Sequence, residues 1–423
     1  MKKNILELIL CALLLTSCSD SLNIYSHSAV APESVTEKDL PALRWGMYNS
    51  VQNDPGERAF ILFDMLGGTL CGSSENPKDL INSTLSPLNG YITGNWNGYF
   101  SALYQVNNLI AITENMSSAS SLRNIVKGEA HYFRAYIYFC LAARWGDVPI
   151  IRKNTMDLVS RDPLSDVWAF AEEDLDMAIS LLGSSTNYYY VSKDAATALK
   201  ARVMLSQGKK TEAAQLAESL ITSGKYKLDS FEKIFRKLSN TEVIFAFENI
   251  AAESGNNLGD LFYTYAHPNK GQYAYRPPQA VMDMYEAGDT RKDISVTVVA
   301  GSNCINKYPS GQAGKDPIII SRLAEMYLIS AEAQGKNNGV GRLNELRRYR
   351  GLSDIYPATD DAYTDAILLE RKKELLAENF MYHDYVRTGR AQSVLGLLQY
   401  QLLLPIPGKE LQLNPNLTPN PGY

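Results

Sequence analysis

Two stretches of the chain place Ala or Gly at helical spacing, where one helix has to come close to another. The first carries Ala195, Ala198, Ala201, Gly208, Ala213, Ala214 and Ala217 over predicted helices at 193–206 and 211–222, the latter ended by Gly224. The second carries Ala324, Ala331, Ala333 and Gly335 over predicted helices at 322–334 and 341–350. Short helical pairs of this kind cannot bury their apolar faces alone and must stack on neighbouring pairs, at least three being needed for a continuous core.

Such pairs resemble tetratricopeptide units, and about four fit along the chain. Other helices follow from period and caps. Thr36 with Asp39 forms a capping box before a helix at 37–52. Further helices are predicted at 97–115 and 122–145, the second stopped by Gly146 with Pro149 beyond, then one capped by Ser165 and one at 363–380. Gly67 to Asn95 is rich in Gly, Ser, Asn and Pro and reads as a long loop ending at Trp96. Residues 225–318 lose helical periodicity around a short strand at 242–247. The expected fold is mostly α, with tetratricopeptide-like helical repeats, a loop-rich insertion and a few short strands.

The N-terminus sets the compartment. Lys2 and Lys3 precede an apolar run from Ile5 to Leu15, too short to span a bilayer, and Leu15-Thr16-Ser17-Cys18 has the order of a bacterial lipobox. Residues 1–17 are therefore expected to be a lipoprotein signal peptide and Cys18 the lipidated first residue of the mature chain, with 19–34 as a polar tether. Of five Cys, only Cys71, Cys140 and Cys304 remain, and Cys140 reads as a core residue. The four His are scattered without metal-ligand spacing, so no metal and no cofactor is expected. A net charge of −5 gives no general attraction to nucleic acid.

Several blocks resemble SusD/RagB nutrient-binding outer-membrane lipoproteins. They are the lipobox, Lys127 to Tyr136 running on to Arg144-Trp145-Gly146-Asp147-Val148-Pro149, Arg322 to Ala333, and Leu343-Asn344-Glu345-Leu346-Arg347. Glu370 to Leu375, Leu404-Pro405-Ile406-Pro407 and the ending Asn420-Pro421-Gly422-Tyr423 complete the set. The chain departs from the family's Glu-Gly-x-Arg at Glu378-Asn379-Phe380-Met381, which puts local packing there in question. The resemblance implies one SusD-like domain over 18–423, with an N-terminal half at 18–224 and a C-terminal half at 225–423. It further implies a lipid-anchored cell-surface protein that binds an oligosaccharide and delivers it to a SusC-like TonB-dependent transporter. RagB-like peptide capture and a tetratricopeptide adaptor with protein partners only are the alternatives.

The charged residues of the matched blocks, among them Glu129, Arg134, Arg322, Glu325, Glu370, Arg371, Glu374, Glu378, Asp384 and Arg387, read as pairs that fix helix stacking rather than as catalysts. Glu370, Glu374 and Glu378 would share one face and repel unless Arg from neighbouring helices meets them. No GxSxG elbow, P-loop or Cys/His motif occurs, so no catalytic residue is assigned and the chain is not expected to be an enzyme.

Sugar recognition needs flat rings against C–H faces and amides, hydroxyls or Arg against hydroxyl rims. The chain has 26 Tyr against 12 Phe. Two segments combine rings with polar partners, and they give the candidate ligand residues Tyr91, Asn95 and Trp96 in 89–99 and Tyr263, Tyr265, Tyr273, Tyr275 and Arg276 in 262–276. Trp96 also reads as a structural anchor, and the alternating tyrosines as one face of a strand. Tyr188, Tyr189 and Tyr190 form a third cluster, expected to pack or to face the barrel.

Overall fold

The computed structural model describes residues 35–117, 120–237, 239–250 and 252–423. The signal, Cys18 and the tether up to residue 34 lie outside the described residues. The long helices are α1 (Leu40–Asn53), α2 (Gly90–Asn115), α3 (Ser121–Trp145), α4 (Leu164–Leu181), α5 (Lys193–Ser206), α6 (Lys210–Ile221), α7 (Leu323–Tyr349) and α8 (Asp360–Glu374). Each packs against the next in a continuous antiparallel stack, apart from α1, which lies across α2 and α3. Ala195, Ala198, Ala201, Ala213 and Ala217 are fully buried, so the small residues sit where α5 and α6 meet their neighbours. Helix α3 is the centre, buried on nearly all sides from Gly128 to Trp145.

Boundaries differ from expectation where tertiary contacts override local propensity. The Thr36–Asp39 box forms, with Thr36 N donating to Asp39 Oδ2 at 2.8 Å, and a short turn at Glu37–Asp39 leads into α1. Ser165 does not cap α4, which begins at Leu164 behind Pro163. The pair expected at 322–334 and 341–350 forms: α7 is two helices, 323–334 and 336–349, meeting at non-helical Gly335 (φ 71°, ψ 177°), so the second starts earlier than expected. Arg322 belongs to the strand before it. Helix α8 stops at Glu374 rather than 380, because Ala377 and Asn379 turn the chain with φ of 59° and 70°.

The departure at Asn379 has a simple cause. Asn tolerates the left-handed region better than most residues. Its Oδ1 accepts the Phe63 N–H at 2.9 Å while its own N–H reaches buried Asp64 Oδ2 at 2.8 Å. Met381, in place of the family's Arg, is wholly buried in the apolar core. Asn379 and Met381 thus each find a local role at this departure.

Three two-stranded antiparallel ladders pin the insertion. They are β1 (Cys71–Gly72) with β3 (Tyr275–Arg276), β2 (Val243–Phe247) with β6 (Ile318–Arg322), and the hairpin β4 (Val296–Val299) with β5 (Ser302–Ile305). In the second ladder Phe247 pairs with Ile318 and Val243 with Arg322, so the strand predicted at 242–247 finds its partner just before α7. The hairpin turns through Ala300 and Gly301, both with positive φ, as a two-residue connection between twisted strands requires.

The charged residues of the matched blocks pair as anticipated. Arg44 meets Glu129, Arg134 meets Asp174, and Arg202 meets Glu325, all between different helices. Glu370, Glu374 and Glu378 are met by Arg291, Arg322, Arg347, Arg350 and Lys307. Glu378 lies beyond the end of α8, not on its face, yet joins the same cluster. Burial opposes ionisation of Glu374, but Arg350, Arg322 and Arg291 outweigh it and hold its carboxyl well below the usual range.

Candidate functional site

Helix α2 begins at Gly90, seven residues before the predicted start, because Asn89 Oδ1 accepts the Tyr91 and Ile92 N–H groups at 2.8 and 3.2 Å. Much of the expected loop is thereby ordered, with a further helix at Pro77–Thr84 capped by Asn76. The first two turns of α2 then rest on the 54–56 turn. Asn95 Nδ2 donates to Pro55 O at 3.0 Å, and Gly98 lies so close that a Cβ there would stand 2.1 Å from Asp54 O. Gly56, with φ 79°, releases the chain into a short helical turn at Glu57–Phe60. That turn presents Arg58.

Arg58 is where the two aromatic segments meet. Its guanidinium lies 4.4 Å from the Tyr91 ring centroid and 5.7 Å from that of Tyr275. Its Nε donates to the Tyr275 hydroxyl at 3.0 Å, and its Nη1 to Glu57 Oε1 at 3.0 Å. Tyr91 is 41% exposed, so the cluster opens to solvent through that ring. Burial pushes the Tyr275 phenol up to about 12 despite the Arg58 cation, so it stays a neutral hydrogen-bonding group. Burial also raises the Glu57 carboxyl, opposed by Arg58.

The loop behind Tyr275 is held in a strained form. Lys270 and Tyr273 both have positive φ, 48° and 54°. Gln272 N bonds Asp260 O at 2.7 Å, and Tyr273 donates its hydroxyl to Asn303 O at 3.1 Å. Backbone strain of this sort costs of order 1–3 kcal/mol per residue and persists only when the surroundings over-determine it, typically near sites.

The remaining sequence candidates are placed elsewhere. Trp96 is buried, edge-on to Trp145 at 5.1 Å and 4.9 Å from Phe100, so its anchor reading holds and it has no face to offer a ligand. Asn95 is buried and spends its amide on Pro55. Tyr263 is buried too, its ring stacked on His267 at 3.7 Å and its hydroxyl donating to Asn306 Oδ1 at 2.7 Å. Arg276 clamps the 73–75 backbone through Nε to Ser73 O and Nη2 to Glu75 O. Tyr265 stands 71% exposed at the loop tip with Lys270 Nζ 4.5 Å from its ring. Arg58, Glu57 and Asp260 were not among the sequence candidates. The sole hint was the Asp54-Pro55-Gly56 turn ahead of Arg58.

Among the described residues no helix is long and apolar enough to cross a membrane, and no group of three or more His, Cys, Asp or Glu could hold a metal ion. Cys71, Cys140 and Cys304 are buried free thiols.

Two family models match the chain. One, described as starch-binding and associating with the outer membrane, covers residues 23–205, and the SusD family model covers 298–400. A SusD-like protein P2 from Formosa agariphila is 26% identical, with the whole of both chains covered. Among solved structures, a surface glycan-binding protein A from Bacteroides fluxus superposes with a TM-score of 0.79 at 22% identity, covering 92% of this chain and 100% of that one. A laminarin-binding SusD-like protein gives 0.78 at 22% identity over the same shares.

Proposed function

Because the chain belongs to the SusD/RagB family, we propose that it is a cell-surface lipoprotein that captures an oligosaccharide at the Arg58–Tyr91–Tyr275 cluster. In this reading Cys18 carries the lipid, and the sugar passes to a SusC-like TonB-dependent transporter in the outer membrane. The convergence of two aromatic segments on Arg58, which is hydrogen-bonded to Tyr275 and lies against the Tyr91 ring, is the observation that carries it. The exposed Tyr91 ring supplies a face for sugar C–H groups. Arg58 and the Tyr275 hydroxyl that it holds supply a preorganised polar edge. Related proteins named for glycan or laminarin binding support the cargo class.

The protein acts by binding and not by chemistry. The carboxylates of the matched blocks, Glu129, Glu325, Glu370, Glu374 and Glu378, are engaged by Arg in the scaffold. The remaining pair near the site, Glu57 and Asp260, is tied to Arg58 and to Gln272 respectively.

The test is titration calorimetry of the leaderless chain carrying Cys18→Ser with laminarihexaose, maltohexaose and xylohexaose, and with mixed peptides. Saturable heat from one sugar that weakens at least tenfold in Arg58→Ala is expected. Undiminished affinity in that variant would remove the cluster from the site. Heat from peptides alone would turn the reading to RagB-like cargo.

A further inference from the structure

A second aromatic cleft lies beside the first site, and it is not used by the reading above. It is an open, shallow cleft formed by Trp45, Asn49, Tyr189 and Tyr190 with the exposed Glu248 and Glu253 at its rim. Trp45 projects from α1 and is 42% exposed, so its ring is accessible at the cleft. Tyr190 is fixed from behind by Arg44, whose guanidinium lies 4.2 Å from the ring centroid while gripping Glu129 at 2.6 and 2.5 Å. The wall is equally fixed. Gln52 Nε2 bonds Glu248 O at 3.1 Å, Asn49 Nδ2 bonds Glu253 O at 3.3 Å, and Ser254 Oγ bonds Asn53 Oδ1 at 3.1 Å. These bonds use backbone oxygens of the two glutamates. Among the described residues, neither carboxylate is engaged in a hydrogen bond or ion pair.

We propose that this cleft binds a neutral pyranose as a second carbohydrate subsite, stacked on Trp45 and the tyrosine pair with its hydroxyls donating to the Glu248 and Glu253 carboxylates. The chemistry selects this ligand class. Flat rings on a rigid floor suit an apolar sugar face, and free carboxylates accept from hydroxyls. The same carboxylates repel phosphate, sialic acid or an anionic lipid headgroup, among the described residues no Lys or Arg lines the cleft, and Arg44 behind Tyr190 is already spent on Glu129. The chain also connects the two sites, since residues 253–254 wall the cleft and Asn257 N reaches Glu57 Oε2 at 3.4 Å beside Arg58. A neutral oligosaccharide held at Arg58 could thus extend one end to Trp45. The inference rests on the carbohydrate reading of the Arg58 site.

Fluorescence separates the two claims. Of the four Trp, Trp96, Trp145 and Trp168 are buried at 3%, 0% and 7% exposure, so acrylamide quenching of the intact chain reports Trp45. Laminarihexaose, maltohexaose and xylohexaose are each added at saturation and judged beside the calorimetry. The sugar that gives heat is expected to lower the quenching constant at least twofold, and Trp45→Phe to abolish the quenchable signal. Trp45→Ala should weaken the hexaose about three- to tenfold, in line with loss of one stacking contact, and leave the matching disaccharide unchanged. Heat without protection of Trp45 overturns the second subsite and leaves the Arg58 site standing. Protection that survives Arg58→Ala supports it independently, and equal weakening of disaccharide and hexaose by Trp45→Ala overturns the assignment of two subsites.

Discussion

Arg322 and Arg58 each lie beside carboxylates and aromatic rings, and the molecule uses them in opposite ways. Arg322 is fully buried, and its Nε donates to Glu378 at 2.9 Å while its Nη1 donates to Glu242 at 2.7 Å and to Glu374 at 2.6 Å. Around it Arg291, Arg347, Arg350 and Lys307 face Asp289, Glu242, Glu370, Glu374 and Glu378, five cations against five anions. That cluster locks α7, α8 and the insertion together. Arg58 has one carboxylate, one phenol and the face of an exposed ring, so part of its donor fork looks outward. Complete satisfaction fixes a fold, whereas a recognition site keeps some of its valence for another molecule.

The strongest way to break the comparison is Arg322→Ala. It strands Glu242, Glu374 and Glu378 in a dry interior and is expected to cost about 3–5 kcal/mol in urea unfolding. The corresponding Arg58→Ala should leave the unfolding midpoint nearly unchanged.

Acid probes the buried side next. His383 is wholly buried, and burial, then the Arg387 cation, push its imidazole from 6.5 down to about 3. The unfolded chain therefore takes up a proton that the folded chain refuses, and stability falls as pH drops from 6.5 toward 3. Asp64 works against this. Burial raises its carboxyl to about 6 from 3.8, so the folded chain takes up a proton first and gains stability as pH falls through that interval. The His383→Gln variant isolates one term. Between pH 6.5 and 4 the unsubstituted chain should lose about 1.4 kcal/mol per pH unit relative to it, read from unfolding midpoints.

Gly98→Ala joins the two regions. Its Cβ would strike the Asp54 carbonyl, so about 1–3 kcal/mol of stability should be lost, together with ligand affinity, as the turn that presents Arg58 shifts. The smallest expected effect sharpens the contrast. Arg58→Lys keeps the charge but loses the planar fork over Tyr91 and the Nε bond to Tyr275. Calorimetry should show a loss of about 1 kcal/mol in binding with unchanged stability.

The sequence made some of this legible and hid the rest for physical reasons. Apolar period and small residues marked the helices at 122–145, 193–206 and 211–222 to within a residue, because those signals are local. The need of Glu370, Glu374 and Glu378 for Arg partners was legible as well, since repulsion follows from spacing alone. The identity of those partners was not, because Arg291 and Lys307 arrive from the insertion. The start of α2 was misplaced because Gly90, Gly94 and Gly98 argue against a helix locally. At Gly98 the glycine serves close contact with Asp54, a tertiary fact. Trp96 and Tyr263 carried the right chemistry for a ligand but the wrong burial. Arg58 had only the Asp54-Pro55-Gly56 turn ahead of it as a signal, and its place between Tyr91 and Tyr275 comes from folding.

The β2–β6 ladder has a consequence for how such a protein can change over generations. Phe247 and Ile318 are neighbours across it, so the chain between them departs and returns at one place on the helical stack. Excursions anchored in this way tolerate changes of length at small entropic cost. The segment carrying Tyr275 and Tyr273 is therefore placed to change in sequence and length without redesign of the helices. It has a key, though. Arg291 and Lys307 travel with it, and a replacement lacking those two cations would meet Glu370, Glu374 and Glu378 with too little positive charge to seat.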